Sequence, residues 1–248
     1  MDFEVAPLSP ALSFALFSLA GVLSFVGLAV ESGRDRLDRC VEVMSAVLLT
    51  LDPTVAAEQM MPHLTLIFGH SPKPWALDVL VVDVDGVDCL IVEELLQIVR
   101  PKILQVEVVA HIPPPFRFSL HWHASHSPDW DRFYHADRFT PTAGCSLSYA
   151  LHKFRPFGYD LLRLTEHDAV FVHQSIAKVI EPGYHVKLPQ DEFQCYRNST
   201  LWFQRPASYV REWFFAKHPS AVIGRIWSNI SFLNVEMGRE PLPFTLDF

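Results

Sequence analysis

Between Val5 and Val30 the chain carries no charged residue, and the twenty positions from Ala11 to Val30 are drawn only from Ala, Leu, Ser, Phe, Gly and Val. At about 1.5 Å of rise per residue, a helix of that length spans roughly the 30 Å hydrocarbon core of a bilayer. A transmembrane helix over residues 11–30 is therefore the leading expectation. A cleaved signal peptide is the second reading: Gly27 and Ala29 form a small-x-small site, although Asp2 and Glu4 stand where a basic leader would be. The third is a buried segment that takes the place of an element the fold would otherwise have. Arg34, Arg36 and Arg39 follow the run while only acids precede it. The positive-inside bias then leaves the rest of the chain on the cytoplasmic side of a membrane, or in the cytoplasm if the run is not a span. The sequons Asn198-Ser199-Thr200 and Asn229-Ile230-Ser231 point to a lumen instead, but such tripeptides recur by chance.

Beyond the run, the 248-residue chain is half apolar and long enough for one sizeable core. Its net charge of −8, with no basic stripe, excludes a phosphate-backbone partner and hence nucleic acid. The four cysteines, Cys40, Cys89, Cys145 and Cys195, include no C-x-x-C pair. Neither a zinc ribbon nor a disulfide scaffold is expected, and such cysteines read as small buried hydrophobes. Three regions result: the hydrophobic segment 1–31, an α/β domain over 32–186, and an aromatic-rich helical extension over 187–248. The extension includes Trp202, Trp213, Trp227 and Phe244, with helices expected near 207–217 and 220–235.

Within the α/β region, Leu37, Cys40, Val41, Met44, Val47, Leu48 and Leu51 repeat at helical spacing, predicting an amphipathic helix over 36–51. His63 to Gly69 reads as a short strand. Ala76 to Val84 is nearly continuous in Val and Leu, as a strand buried on both faces should be. A helix over 88–99 and a second β-branched strand over 102–110 complete a βαβ unit with parallel strands. A helix over 145–154 follows. Tyr159 to Thr165 and Ala169 to His173 then form two strands joined by so short a turn that they must be antiparallel.

Ligands of such sheets bind outside the carboxyl ends of the strands, so the residues that close each apolar run are the candidates. The first strand ends in Asp83-Val84-Asp85-Gly86-Val87-Asp88. Carboxylates so crowded bind a cation, accept donors from a ligand or cap the next helix, and Asp85 or Asp88 suits the last role. The second strand carries Glu107, and His111 precedes a stiff triple proline, Pro113-Pro114-Pro115, that can hold it beside the sheet edge. Asp83, Asp85, Glu107 and His111 are the candidate catalytic residues. His121, His123, His126 and His135 lack any established metal-ligand spacing, and no metal is expected. No G-x-S-x-G elbow, P-loop or G-x-G-x-x-G turn occurs.

The strings DVLVVDVDGVDCLIVEEL, RPKILQVEVVAHIPPPFRFS and GCSLSYALHKFRPFGYDLLRLTEHDAVFVH, in that order, resemble the C-terminal half of FkbM-like methyltransferases. The resemblance covers about residues 63 to 175. It implies a Rossmann-like class I methyltransferase sheet, mostly parallel with a C-terminal antiparallel hairpin, that uses S-adenosylmethionine to O-methylate a small or sugar-like acceptor. Asp83 then matches the acid after the fourth strand, Asp85 and Asp88 the acids flanking the motif glycine, and Glu107 the fifth-strand acid. The chain departs from the family before Ala76, where no acid-Gly-x-Gly turn occurs. The sheet is expected to be incomplete on that side. Each cofactor hydrogen bond so lost weakens binding by about 0.5–1.5 kcal/mol.

Two other functions fit the same residues. A non-catalytic, membrane-tethered methyltransferase-like protein acting through protein contacts suits the missing cofactor turn and the apolar run. A membrane-anchored glycosyltransferase would use Asp83-Val84-Asp85 as a D-x-D motif. A second copy of the chain is a route to the missing strands.

Overall fold

The computed structural model describes residues 12–18, 29–30, 56–70, 72–83, 87–109, 112–121, 144–165, 167–199, 220–221, 223–224, 227–228 and 244–247. Its centre is built from the two runs richest in Val, Leu and Ile. β3 (Trp75–Asp83) and β4 (Val99–Glu107) lie side by side and parallel, with Val82 opposite Val106. The crossover between them is α2 (Asp88–Leu95), which buries Ile91, Val92 and Leu95. Full burial of side chains of this size stabilises by about 1.5–3 kcal/mol each.

The sheet extends in both directions to give the order β2-β1-β3-β4-β7-β6. On one side β1 (Leu12–Ser18) runs parallel to β3, and β2 (Ala29–Val30) is antiparallel to β1. On the other side β7 (Asp168–His173) runs antiparallel to β4, with β6 (Tyr159–Thr165) antiparallel to β7. The expected βαβ unit and terminal hairpin are both present, in a mixed α/β architecture.

The apolar run departs from its leading expectation. Leu12–Ser18 forms a strand, so no continuous helix covers 11–30. Flanked by β2 and β3, this strand belongs to the class whose sequence can be apolar on both faces without alternation. Within the described residues this stretch is a strand of the sheet. No helix among the described residues is long and apolar enough to cross a membrane.

A second departure lies at His63 to Gly69, which belongs not to a strand but to the end of α1 (Ala56–Phe68). Ala56, Met60 and Leu64, four residues apart, are buried along one stripe, while Pro62 lies on an exposed face. The stripe begins upstream of the short apolar run and so escapes a reading of the run alone. Gly69 ends the helix at φ +66°, donating its N–H to the Thr65 carbonyl at 2.8 Å. Only a residue without Cβ takes that left-handed position at no steric cost.

β4 also starts earlier than the sequence predicts, at Val99, and carries Pro101 inside it. Pairing with β7 begins only at Ile103, so the proline costs no ladder hydrogen bond on that side. Its carbonyl accepts from the buried Tyr159 hydroxyl at 2.7 Å. α3 (Leu147–Phe154) sits on the sheet with Phe154 edge-on to Phe171 at 5.3 Å. α4 (Gln174–Tyr184) and α5 (Glu192–Asn198) follow β7, and Ser148 of α3 donates to Glu192 of α5.

A separate ribbon joins β5 (Arg117–Leu120) to β8 (Phe244–Asp247), antiparallel, near the end of the chain. Of the helix expected over 220–235, residues 220–221, 223–224 and 227–228 are helical. The helices expected over 36–51 and 207–217 lie outside the described residues.

Candidate functional site

β3 and β4 are parallel and end level with each other, which brings their last acids together. Asp83 closes β3 and Glu107 closes β4. The chain leaving β3 returns at once into α2, whose first residue is Asp88. Asp83, Asp88 and Glu107 each offer a carboxylate oxygen, and these oxygens all lie within 4.8 Å of one another. Asp88 is fully buried, Glu107 is buried and Asp83 half-buried. Oxygens so spaced are the donor type that hard divalent cations take, so among the described residues these three could hold such an ion.

The antiparallel strand β7 adds to the cluster from its other side. Asp168 opens β7 directly opposite Glu107, and the Val108 N–H donates to the His167 carbonyl at 2.7 Å. Burial raises the Asp83 pKa above its ordinary value, the charge of Asp168 raises it further, and His167 pulls the other way. A carboxyl poised in this direction is a stronger proton acceptor once ionised than an ordinary aspartate.

Asp88 acts on α2 otherwise than expected. The N-cap position is Val87, with no side-chain cap hydrogen bond, and Asp88 stands inside the first turn. Its carboxylate there is favoured by the positive end of the helix dipole. Of the candidate residues, Asp83 and Glu107 meet as the sequence predicts, while Asp85 and His111 lie outside the described residues. Asp168 and His167 escape the sequence reading, because a hairpin alone does not reveal which strand will pair with β4.

Behind the acids is a covalent link that corrects the reading of the cysteines. Cys89, next to Asp88, is disulfide-bonded to Cys145 across 56 positions, with the two Cα atoms 6.0 Å apart. Cys145 lies on the loop side of α3 and bridges both Val108, just after β4, and Ser119 of β5. The Val109 N–H donates to the Cys145 carbonyl at 2.7 Å. Ser146 then fixes the start of α3. Its buried Oγ accepts the N–H groups of Tyr149 and Phe118 and donates to the Phe116 carbonyl at 2.7 Å. With no short spacing between Cys89 and Cys145, only the βαβ packing reveals the pair. Cys195 is a free, buried thiol whose pKa is pushed up to about 11, chiefly by that burial.

On the far side of β3, β1 ends at the same level, with Ser18 in register with Asp83. Neither 12–18 nor 29–30 contains an acid. Among the described residues the clustered carboxylates therefore come from β3, α2 and β4, with Asp168 of β7 acting on Asp83. No protein-family model, curated protein or solved structure matches the chain.

Proposed function

We infer that this carboxyl edge is the acceptor side of an S-adenosylmethionine-dependent O-methyltransferase of FkbM-like type, acting on a small hydroxylated or sugar-like molecule. The observation that carries the reading is the convergence of Asp83, Asp88 and Glu107 at the carboxyl ends of two parallel strands. Open α/β sheets bind their ligands there. The order β1-β3-β4-β7-β6, parallel and then closing in an antiparallel hairpin, supports the same reading.

The residues fit the acceptor better than the cofactor. Asp83 accepts the proton of the acceptor hydroxyl as the oxygen becomes nucleophilic, and Glu107 and Asp88 hold that hydroxyl and its neighbours in line by accepting their hydrogen bonds. S-adenosylmethionine supplies the electrophilic methyl group. A ribose diol finds no carboxylate on β1, so its affinity is expected to be weaker than a complete site would give.

The test is transfer of a labelled methyl group to a panel of hydroxylated acceptors by the full chain, beside calorimetry with S-adenosylhomocysteine. Asp83→Asn should lower transfer by about 10²–10⁴-fold, the usual contribution of a positioned acid-base group, while leaving S-adenosylhomocysteine binding in place. Equal transfer by the variant and the parent removes Asp83 from the mechanism. Absence of both binding and transfer favours the non-catalytic reading.

A further inference from the structure

The disulfide sits where two of the three clustered acids enter their elements. Cys89 is the residue after Asp88, and Cys145 is bridged to Val108, the residue after Glu107. Gly144, one residue before the cysteine, lies so close to β4 that a Cβ there would stand 3.4 Å from the Glu107 carbonyl oxygen. Closing the S–S bond therefore fixes the first turn of α2 against the end of β4, and with it the separation of the Asp88 and Glu107 carboxylates. Like charges drawn within a few ångströms repel, so the electrostatics of the site oppose the closure that the bond enforces.

We propose that Cys89 and Cys145 form a redox-responsive clamp that sets the geometry of the acid site, closed as the disulfide and relaxed as the dithiol. In closing, two thiols lose two protons and two electrons, and a disulfide oxidant such as glutathione disulfide accepts them and leaves as two glutathione thiols. Reduction runs the same exchange backwards. In a reducing compartment a disulfide is mostly transient or redox-sensing. The sulfurs are shielded, with Cys89 1% and Cys145 0% exposed. Exchange then proceeds through local opening of the α2 start, and the clamp answers a sustained change in redox poise more than a brief one. Part of this proposal rests on the acceptor-site reading, namely that the clamped acids hold a ligand.

The experiment equilibrates the full chain in a series of glutathione redox buffers, approached from both the oxidised and the reduced side. Acid quenching, alkylation and mass spectrometry then give the fraction joined at 89–145. If closure works against carboxylate repulsion, Asp83→Asn or Glu107→Gln should shift the equilibrium toward the disulfide by roughly five- to tenfold. Asp78→Asn, which removes a β3 acid paired with Lys102 away from the cluster, should leave it unchanged. A simple staple would respond to none of these. S-adenosylhomocysteine should shift the equilibrium by the same factor that the redox state changes its affinity, because coupling is reciprocal. Equal equilibria in parent, Asp83→Asn and Glu107→Gln overturn the clamp, as do two free thiols in every buffer. A shift in the variants by a chain that neither binds S-adenosylhomocysteine nor transfers the labelled methyl group leaves the clamp standing and sinks the methyltransferase reading instead.

Discussion

β1 and β3 are neighbours, parallel and level, with Ser18 beside Asp83, yet they end very differently. β3 runs into a cluster of carboxylates backed by a disulfide and a buried hydrogen-bond network. β1 comes from a segment with no charge at all between Val5 and Val30. The comparison separates two tasks that one strand end often performs together. An apolar run suffices to occupy a place in a sheet, because pairing needs only backbone groups and β-compatible side chains. Chemistry at the same level needs titratable groups, and among the described residues the clustered acids lie on the β3 side.

The largest expected effect tests how firmly the β3 side is tied. Replacing both Cys89 and Cys145 by Ala frees a closed loop of 56 positions, which the chain-entropy relation values at about 4 kcal/mol. Urea denaturation of the double variant against the oxidised parent measures it, and a difference near zero would make the link incidental to stability.

The β1 side is tested next by Leu16→Pro, within the stretch of β1 paired to β3. A loss of about 1–3 kcal/mol is expected where a proline removes a ladder hydrogen bond. If stability is unchanged, β1 is not held by the sheet, and the contrast between the strands collapses into one between a folded and an unattached segment.

A smaller loss, about 1–2 kcal/mol, is expected for Tyr149→Phe. It removes the 2.8 Å hydrogen bond from the largely buried Tyr149 hydroxyl to Glu93, a carboxylate that also pairs with Lys153. Thermal unfolding of the variant with and without Glu93→Gln separates this bond from packing.

The smallest effect is a slope. Asp83 has its folded-state pKa raised above the ordinary 3.8, so the folded chain holds that proton more tightly than the unfolded one. Its contribution to stability is greatest below pH 3.8 and is lost as pH rises through the raised value. Asp83→Asn should flatten that decline between pH 4 and neutrality. An unchanged slope would assign it to other groups.

Much of the β3 side is legible in the sequence. Val79, Leu80, Val81 and Val82 can scarcely be anything but a buried strand, and Ile91, Val92 and Leu95 place α2 beside it. Asp83 and Glu107 follow as strand ends, so their meeting is implied once the strands are parallel. What stays hidden depends on long-range pairing. Asp168 joins the cluster only because β7 inserts next to β4, and Cys145 reaches Cys89 only because α3 packs behind α2. The β1 side is hidden for another reason: a run of uniform apolarity has no period, and length alone favours a membrane helix over a strand. α1 is misread in the same way, since its buried stripe of Ala56, Met60 and Leu64 precedes the short run that catches the eye.

The ribbon of β5 and β8 has a consequence for the order in which the chain folds. His121 contacts Thr245 across 124 positions through a 2.6 Å hydrogen bond, so the strand leaving the site region is completed by residues far along the chain from it. Contacts of such sequence separation close late. During synthesis the βαβ unit and its hairpin can collapse while β5 still presents an open edge. Pairing with Phe244–Asp247 covers that edge. Until it forms, the chain holds its acid site assembled and one strand still open to a wrong partner.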